Sequence, residues 1–171
     1  MIDERVFPSA LVDVSRVRFP YSSEEDVDFE PFAEFVPREE TLAWFRRWTG
    51  NPELEGPEFL VFGRDGTGGK AAFWVCRQGA PVASQPVVFL GSEGECGLVA
   101  TELDEFLWLL ADGSGPYEAI DDPARVSRPR EQLVEIAQQC SAAPRMTAAE
   151  VVERANLQFP HFTALIEELT R

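Results

Sequence analysis

The residues most suited to binding or catalysis are carboxylates near the N-terminus, Glu24-Glu25-Asp26 and Asp28. They lie in a polar stretch typical of a loop, and loops carry recognition residues more often than core elements do. The whole chain has 30 acidic and 15 basic residues and a formal charge of −15. This charge disfavours nucleic acids and anionic membranes as partners and favours encounter with a basic protein. We therefore predict Glu24, Glu25, Asp26 and Asp28 as partner-binding residues, although an acidic surface that only maintains solubility explains the same composition.

Carboxylates could also act in pairs. Glycosidase-type hydrolysis needs two of them at a defined separation inside a cleft. With 30 acids in the chain, chance pairs are inevitable, and the sequence does not give their separations. A convergent pocket holding two carboxylates would favour a small hydrolase, whereas a broad acidic face without such a pocket would favour a binding protein.

A glycine-rich segment, GRDGTGG at 63–69, offers a second candidate site. Glycine-rich turns can direct several backbone N–H groups at a phosphate. However, a P-loop needs Gly-Lys-Ser/Thr at the start of a helix, and Lys70 here begins a predicted strand. An EF-hand loop needs more oxygen ligands than Asp65 alone. We predict a hairpin turn in which Asp65-Gly66 supplies positive φ, with structural roles for Gly63, Asp65, Gly66 and Gly68.

The sequence indicates no catalytic residue, cofactor or metal site. His161 is the single histidine and is remote in sequence from every cysteine, which disfavours a catalytic triad and a multi-histidine metal site. Cys76, Cys96 and Cys140 form no Cys-x-x-Cys pair and sit among apolar residues in the sequence, so we expect buried thiols in a reducing compartment. The segment 1–5 has no signal-peptide features and no apolar run is long enough to span a membrane, so we expect a cytoplasmic protein.

Four tryptophans, Trp44, Trp48, Trp74 and Trp108, are candidate interface anchors, because tryptophan is enriched at binding hot spots. Most tryptophans nevertheless belong to the core. Trp108 lies off the apolar stripe of its predicted helix, so either it is exposed or another helix covers it. We favour cover by the C-terminal helices and keep Trp108 among the candidate partner-binding residues.

The elements that position these residues follow from apolar spacing and turn signals. Short apolar segments at 58–62, 70–77, 85–90 and 96–100 are separated by glycine-containing turns, which predicts antiparallel strands because parallel pairs need long crossovers. A partly alternating segment at 11–19 indicates a further strand. Helical spacing predicts helices over 29–36, 38–48, 102–111, around 133–140, from 148, and after Pro160. Thr101 is expected to cap the third of these, and Thr147 with Glu150 forms a capping box.

Strands in one run with helices on either side predict an α+β fold, in which an antiparallel sheet at about 58–100 packs with N- and C-terminal helices. The length suits a single domain covering 1–171. We place its core at 29–113 and additional helices at 130–171. The segment 113–129 is predicted to be a loop.

The strand run also resembles a known family. An Asp65-Gly66 turn between the first two strands, a valine-containing strand, the 91–95 loop and Leu103-Asp104-Glu105-Phe106-Leu107 on a helix are similar in order and spacing to the SUKH superfamily, the Smi/Knr-type domain. The similarity covers about 58–113. The region 42–52 departs from the family, because it lacks the Leu-Pro-x-x-aromatic segment and the Asn-Gly-Gly turn.

The SUKH resemblance implies a non-enzymatic binding role. Many bacterial members of the family are immunity proteins that neutralise a cognate toxin by binding it, and fungal members regulate cell-wall synthesis. A basic toxin, such as a nuclease, would suit the charge of this chain. The alternatives are a regulatory or scaffold protein of cell-wall synthesis and, with less support, a carboxylate-pair hydrolase.

Overall fold

One antiparallel sheet of five strands forms the centre of the protein. The computed structural model describes residues 5–171. The sheet has the order β1-β2-β3-β4-β5, with each strand antiparallel to its neighbours. The strands are β1 (Glu30–Pro31), β2 (Phe59–Arg64), β3 (Lys70–Trp74), β4 (Val87–Leu90) and β5 (Cys96–Ala100). The predicted α+β class and antiparallel sheet are confirmed; β1 is an edge strand that lies outside the predicted range.

Seven α-helices surround the sheet in the described part of the chain. They are α1 (Ser9–Ser15), α2 (Arg38–Thr49), α3 (Leu103–Ala111), α4 (Pro116–Asp121), α5 (Glu131–Cys140), α6 (Ala148–Gln158) and α7 (Phe162–Leu169). One turn of 3₁₀ helix, Val82–Ser84, lies between β3 and β4 and leaves that pair antiparallel. The predicted helices at 38–48, around 133–140, from 148 and after Pro160 are confirmed. The capping box of α6 is present as predicted, with Thr147 and Glu150 each accepting from the other's backbone N–H.

The sheet buries both of its faces. On one face Phe62, Phe73 and Phe89 belong to a core shared with α1, α3, α5 and the start of α6. On the other face Val61 and Val88 belong to a second core shared with α2 and α7. Successive strand side chains point to opposite faces, so a sheet covered on both sides needs continuous apolar strands. This explains why β3 has apolar residues at both alternating positions.

Two N-terminal predictions were wrong in type. The segment 11–19, predicted as a strand, begins within α1, whose buried residues Ala10, Leu11 and Val14 have helical spacing. The segment 29–36, predicted as a helix, contains β1 and then runs beside β2, where the N–H of Phe32 donates to the carbonyl of Phe62 at 2.8 Å. Pro31 disfavours a helix through this segment, and its aromatic residues reach the core from extended chain instead.

Two predictions around α3 also need correction. The segment 113–129 is not simply a loop, because it contains α4, which begins with Pro116 directly after Gly115. Proline is favourable at the first position of a helix. The N-cap of α3 is Glu102 and not Thr101, whose hydroxyl instead donates to Glu105 Oε2 at 2.5 Å.

Candidate functional site: an acidic cleft

The predicted acidic loop and α4 together line a cleft of about 540 Å³. The loop is irregular over 21–28, as predicted, and it supplies Glu24, Glu25 and Asp26. The other lining residues were not predicted from the sequence: Tyr21, Tyr117, Glu118, Asp121, Asp122, Arg125 and Val126. We refer to these ten residues as the acidic cleft. The Gly115-Pro116 step was the signal in the sequence that could have revealed α4 and its carboxylates.

Asp26 holds the acidic loop in shape. Its Oδ2 accepts hydrogen bonds from the N–H groups of Ser22 and Ser23, at 2.8 Å and 3.0 Å, and from the Ser22 hydroxyl at 3.0 Å. The donors of Ser22, followed by those of Ser23, lower the pKa of Asp26. Glu24 and Glu25 are exposed. Asp26 therefore braces the loop, while Glu24 and Glu25 present their charges to solvent.

Asp28 connects three parts of the site. Its carboxylate Oδ1 accepts from the N–H of Gly66 at 2.8 Å, and its own N–H donates to Glu118 Oε1 at 2.7 Å. Asp28 is half-buried and lies outside the lining of the acidic cleft. It was predicted as a partner-binding residue, but these contacts tie the acidic loop to the glycine-rich turn and to α4.

Glu118 is the buried carboxylate of the cleft. Only 5% of the residue is exposed, and its Oε2 has no hydrogen-bond partner. Burial raises the pKa of Glu118; the N–H of Asp28 and the charge of Arg125 oppose this effect. The side chain is thus a buried acid with one satisfied and one unsatisfied oxygen.

Arg125 closes one side of the cleft by binding backbone carbonyls. Its guanidinium donates to the carbonyl oxygens of Glu24 at 3.1 Å, Glu25 at 3.3 Å and Gly113 at 3.0 Å. These bonds clamp the acidic loop against Gly113, which lies just after the C-terminal end of α3. The clamp fixes the backbone of the loop and leaves the carboxylates of Glu24 and Glu25 exposed.

The glycine-rich turn is a hairpin connection held by two carboxylates, those of Asp65 and Asp28. Asp65 is 3% exposed, and its Oδ1 accepts from the N–H groups of Thr67 at 3.1 Å and Gly69 at 2.7 Å. These donors, together with the Gly66 N–H bound by Asp28, already have acceptors within the protein. The N–H groups of Gly66, Thr67 and Gly69 are therefore not free to bind a phosphate.

The individual glycine roles differ from the prediction. Gly63 lies within β2, beside a register shift, where an added Cβ would come 2.5 Å from Cε1 of Phe29. Within the turn, Gly68 has a positive φ of 96°, whereas the φ of Gly66 is not positive. Gly66 instead permits close approach of Asp28, whose carboxylate would lie 3.1 Å from an added Cβ.

Trp108 is buried, which confirms the favoured cover and removes it from the accessible candidates. The residue is 6% exposed, and its indole N–H donates to the carbonyl of Ala143 at 2.9 Å. The guanidinium of Arg145 lies 5.7 Å from the ring centroid. Residues between α5 and α6 thus cover the ring, and a partner cannot contact it in this conformation.

The remaining reactive side chains are dispersed. His161 is exposed and immediately precedes α7. Cys76 and Cys96 are half-buried, whereas Cys140 is exposed, contrary to the prediction of three buried thiols. Within residues 5–171, no three or more His, Cys, Asp and Glu side chains are grouped so as to hold a metal ion. Each helix of the same range is too short or too polar to cross a lipid bilayer.

Comparisons with protein-family models, with curated proteins and with solved structures gave no match for this chain. The SUKH resemblance therefore stays a prediction.

Proposed function

We propose that this protein is a non-enzymatic, cytoplasmic binding protein that captures a basic protein partner at the acidic cleft. The observation that carries the proposal is the convergence of carboxylates from two distant segments, the acidic loop and α4, on one concave surface. Complementary charge accelerates encounter and disfavours partners of the wrong charge. The formal charge of −15 would likewise attract a basic partner to this protein.

The SUKH resemblance supports a more specific role within this proposal, that of an immunity protein that neutralises a basic toxin such as a nuclease. A nuclease must attract phosphates and so tends to be basic at its active surface, which suits an acidic inhibitor. A regulatory or scaffold role in cell-wall synthesis is the alternative that the same resemblance supports. Both roles use the cleft for binding.

A carboxylate-pair hydrolase is the second candidate function, because the cleft is a convergent pocket with more than two carboxylates. Glu118 has the buried position and raised pKa that suit a general acid. Against this, Glu24, Glu25, Asp121 and Asp122 are exposed, whereas catalysis requires partner groups held in fixed geometry. We therefore favour binding.

The test of binding is association kinetics with the protein encoded by the adjacent gene, measured at several salt concentrations. The Debye length falls from about 10 Å at 0.1 M to about 3 Å at 1 M salt. We expect the association rate to fall strongly over this range and the dissociation rate to change less. An association rate insensitive to salt contradicts capture by charge.

Matched variants locate the surface. The double variant Glu24→Gln, Glu25→Gln removes two exposed charges and preserves the Asp26 brace. The control Glu167→Gln, Glu168→Gln removes two exposed charges from α7, on the opposite face of the sheet. We expect the first to slow association about threefold or more at low salt and the control to have a smaller effect. Equal effects would mean that only net charge matters.

Mass spectrometry of the mixture separates binding of the protein partner from its hydrolysis. A binding protein leaves its partner at full mass after long incubation. If the wild type fragments the partner and the Glu118→Gln variant leaves it intact, the protein is a hydrolase of that partner instead.

A further inference from the structure

The acidic cleft contains an unsatisfied buried acceptor. Glu118 Oε1 is used by the N–H of Asp28, but Oε2 has no hydrogen-bond partner within the protein. A buried polar atom without a partner costs about 1–3 kcal/mol. Such an atom at a cleft is a reason to look for a ligand that supplies the missing donor.

The surroundings of Glu118 Oε2 define the chemistry of that ligand. Exposed carboxylates from both the acidic loop and α4 surround the opening and favour a cation. Tyr21, which is 63% exposed, and Tyr117 add two aromatic rings to the same lining. A guanidinium has N–H donors for a carboxylate, and its planar face packs on aromatic rings.

We propose that the acidic cleft is a subsite for a single arginine side chain of the protein partner, with Glu118 Oε2 as its buried acceptor. The proposal rests on the function proposed above and names the chemical group that is recognised. Oε2 is buried in the free protein, so the incoming guanidinium reaches it only after a covering side chain shifts. The exposed acids attract the cation, and Glu118 selects a group with N–H donors.

The test uses N-acetyl-arginine amide as the probe, titrated into the whole protein and followed by NMR. The backbone amide of Asp28 is the reporter, because it donates directly to the other oxygen of Glu118. We expect a saturable shift of this resonance. N-acetyl-citrulline amide, which has a similar shape and no charge, should bind at least about tenfold more weakly, since hydrogen bonds to charged groups are roughly twice as strong as neutral ones.

The Glu118→Gln variant tests the acceptor. The glutamine keeps a carbonyl oxygen for the Asp28 N–H and removes the charge, and thermal unfolding verifies that the variant is folded. We expect it to bind the arginine probe at least about tenfold more weakly. The control Glu168→Gln removes an exposed charge from α7 and should bind as the wild type does.

Three outcomes overturn the subsite: no saturable shift, equal binding of arginine and citrulline, or unchanged binding by Glu118→Gln. These results do not depend on a protein partner. If the adjacent gene product binds and the arginine probe does not, the subsite is wrong and the proposed function stands. If the probe binds through Glu118 and no basic protein does, the subsite stands and the proposed function is wrong.

Discussion

The backbone N–H of Asp28 donates a 2.7 Å hydrogen bond to Oε1 of Glu118, 90 residues further along the chain. This bond joins the acidic loop to α4 and positions the buried carboxylate of the cleft. Because Asp28 also accepts from Gly66, one residue connects the loop, the hairpin turn and the helix. A disturbance at any of the three should therefore reach the other two.

The first prediction concerns the pH dependence of stability. Burial raises the folded-state pKa of Glu118 above its ordinary value of 4.5, while the hydrogen bond from the N–H of Asp28 and the charge of Arg125 oppose this effect. As the pH rises from the ordinary value of 4.5 through the raised pKa, the Glu118 carboxyl loses its proton more readily in the unfolded state than in the folded state. The wild type therefore loses stability relative to Glu118→Gln over this range. Urea unfolding of both proteins from about pH 4 to about pH 7 measures the difference. A pH-independent difference would mean that the carboxyl is not perturbed.

The second prediction compares two glycines of the hairpin turn. Gly68→Val places a β-branched residue at positive φ and should reduce the free energy of unfolding by about 1–2 kcal/mol. Gly66→Val should cost less, because it meets only the half-buried Asp28 carboxylate at 3.1 Å, which can shift. Thermal and urea unfolding give the order. A larger loss for Gly66→Val would contradict the assigned backbone conformations.

The third prediction concerns Trp108. Trp108→Ala should destabilise the protein by about 3–5 kcal/mol, because it leaves a cavity beneath the C-terminal helices. Trp108→Phe keeps an aromatic ring but leaves the Ala143 carbonyl without its donor, at a cost of about 1 kcal/mol. Urea unfolding by circular dichroism measures both. A Trp108→Ala variant with unchanged stability and lost partner binding would restore the tryptophan as an interface anchor.

The fourth prediction compares two ion pairs. Glu105 is buried and accepts from Arg154 at 2.8 Å, so Arg154→Gln should cost about 1–2 kcal/mol by leaving a buried carboxylate less well paired. The control pair, Arg64 with Glu30, has a similar distance of 2.7 Å but is exposed on both sides. Arg64→Gln should change the free energy of unfolding by about 0.5 kcal/mol or less. Equal losses for the two variants would show that burial of Glu105 is not the deciding factor.

Elements with strong local signals were predictable from the sequence. The strand Cys96–Ala100 lies where the apolar run and the flanking turn placed it, and α6 begins at its capping box. The errors fell where local and tertiary preferences compete. The series Phe29, Phe32 and Phe35 has helical spacing. Phe29 and Phe35 nevertheless reach the core from extended chain, because β2 offers hydrogen bonds to that segment.

The sequence by itself determined four of the five sheet strands, most of the helices and the acidic character. It also determined the loop that carries Glu24, Glu25 and Asp26, because hydrophobic periodicity, caps and charge act over a few residues. Only the tertiary structure decided that α4 lies against that loop, that Glu118 is its buried acid, and that Trp108 is covered. These features depend on which distant segments pack together. Packing is decided by the combined burial of both faces of the sheet and not by the residues next in sequence.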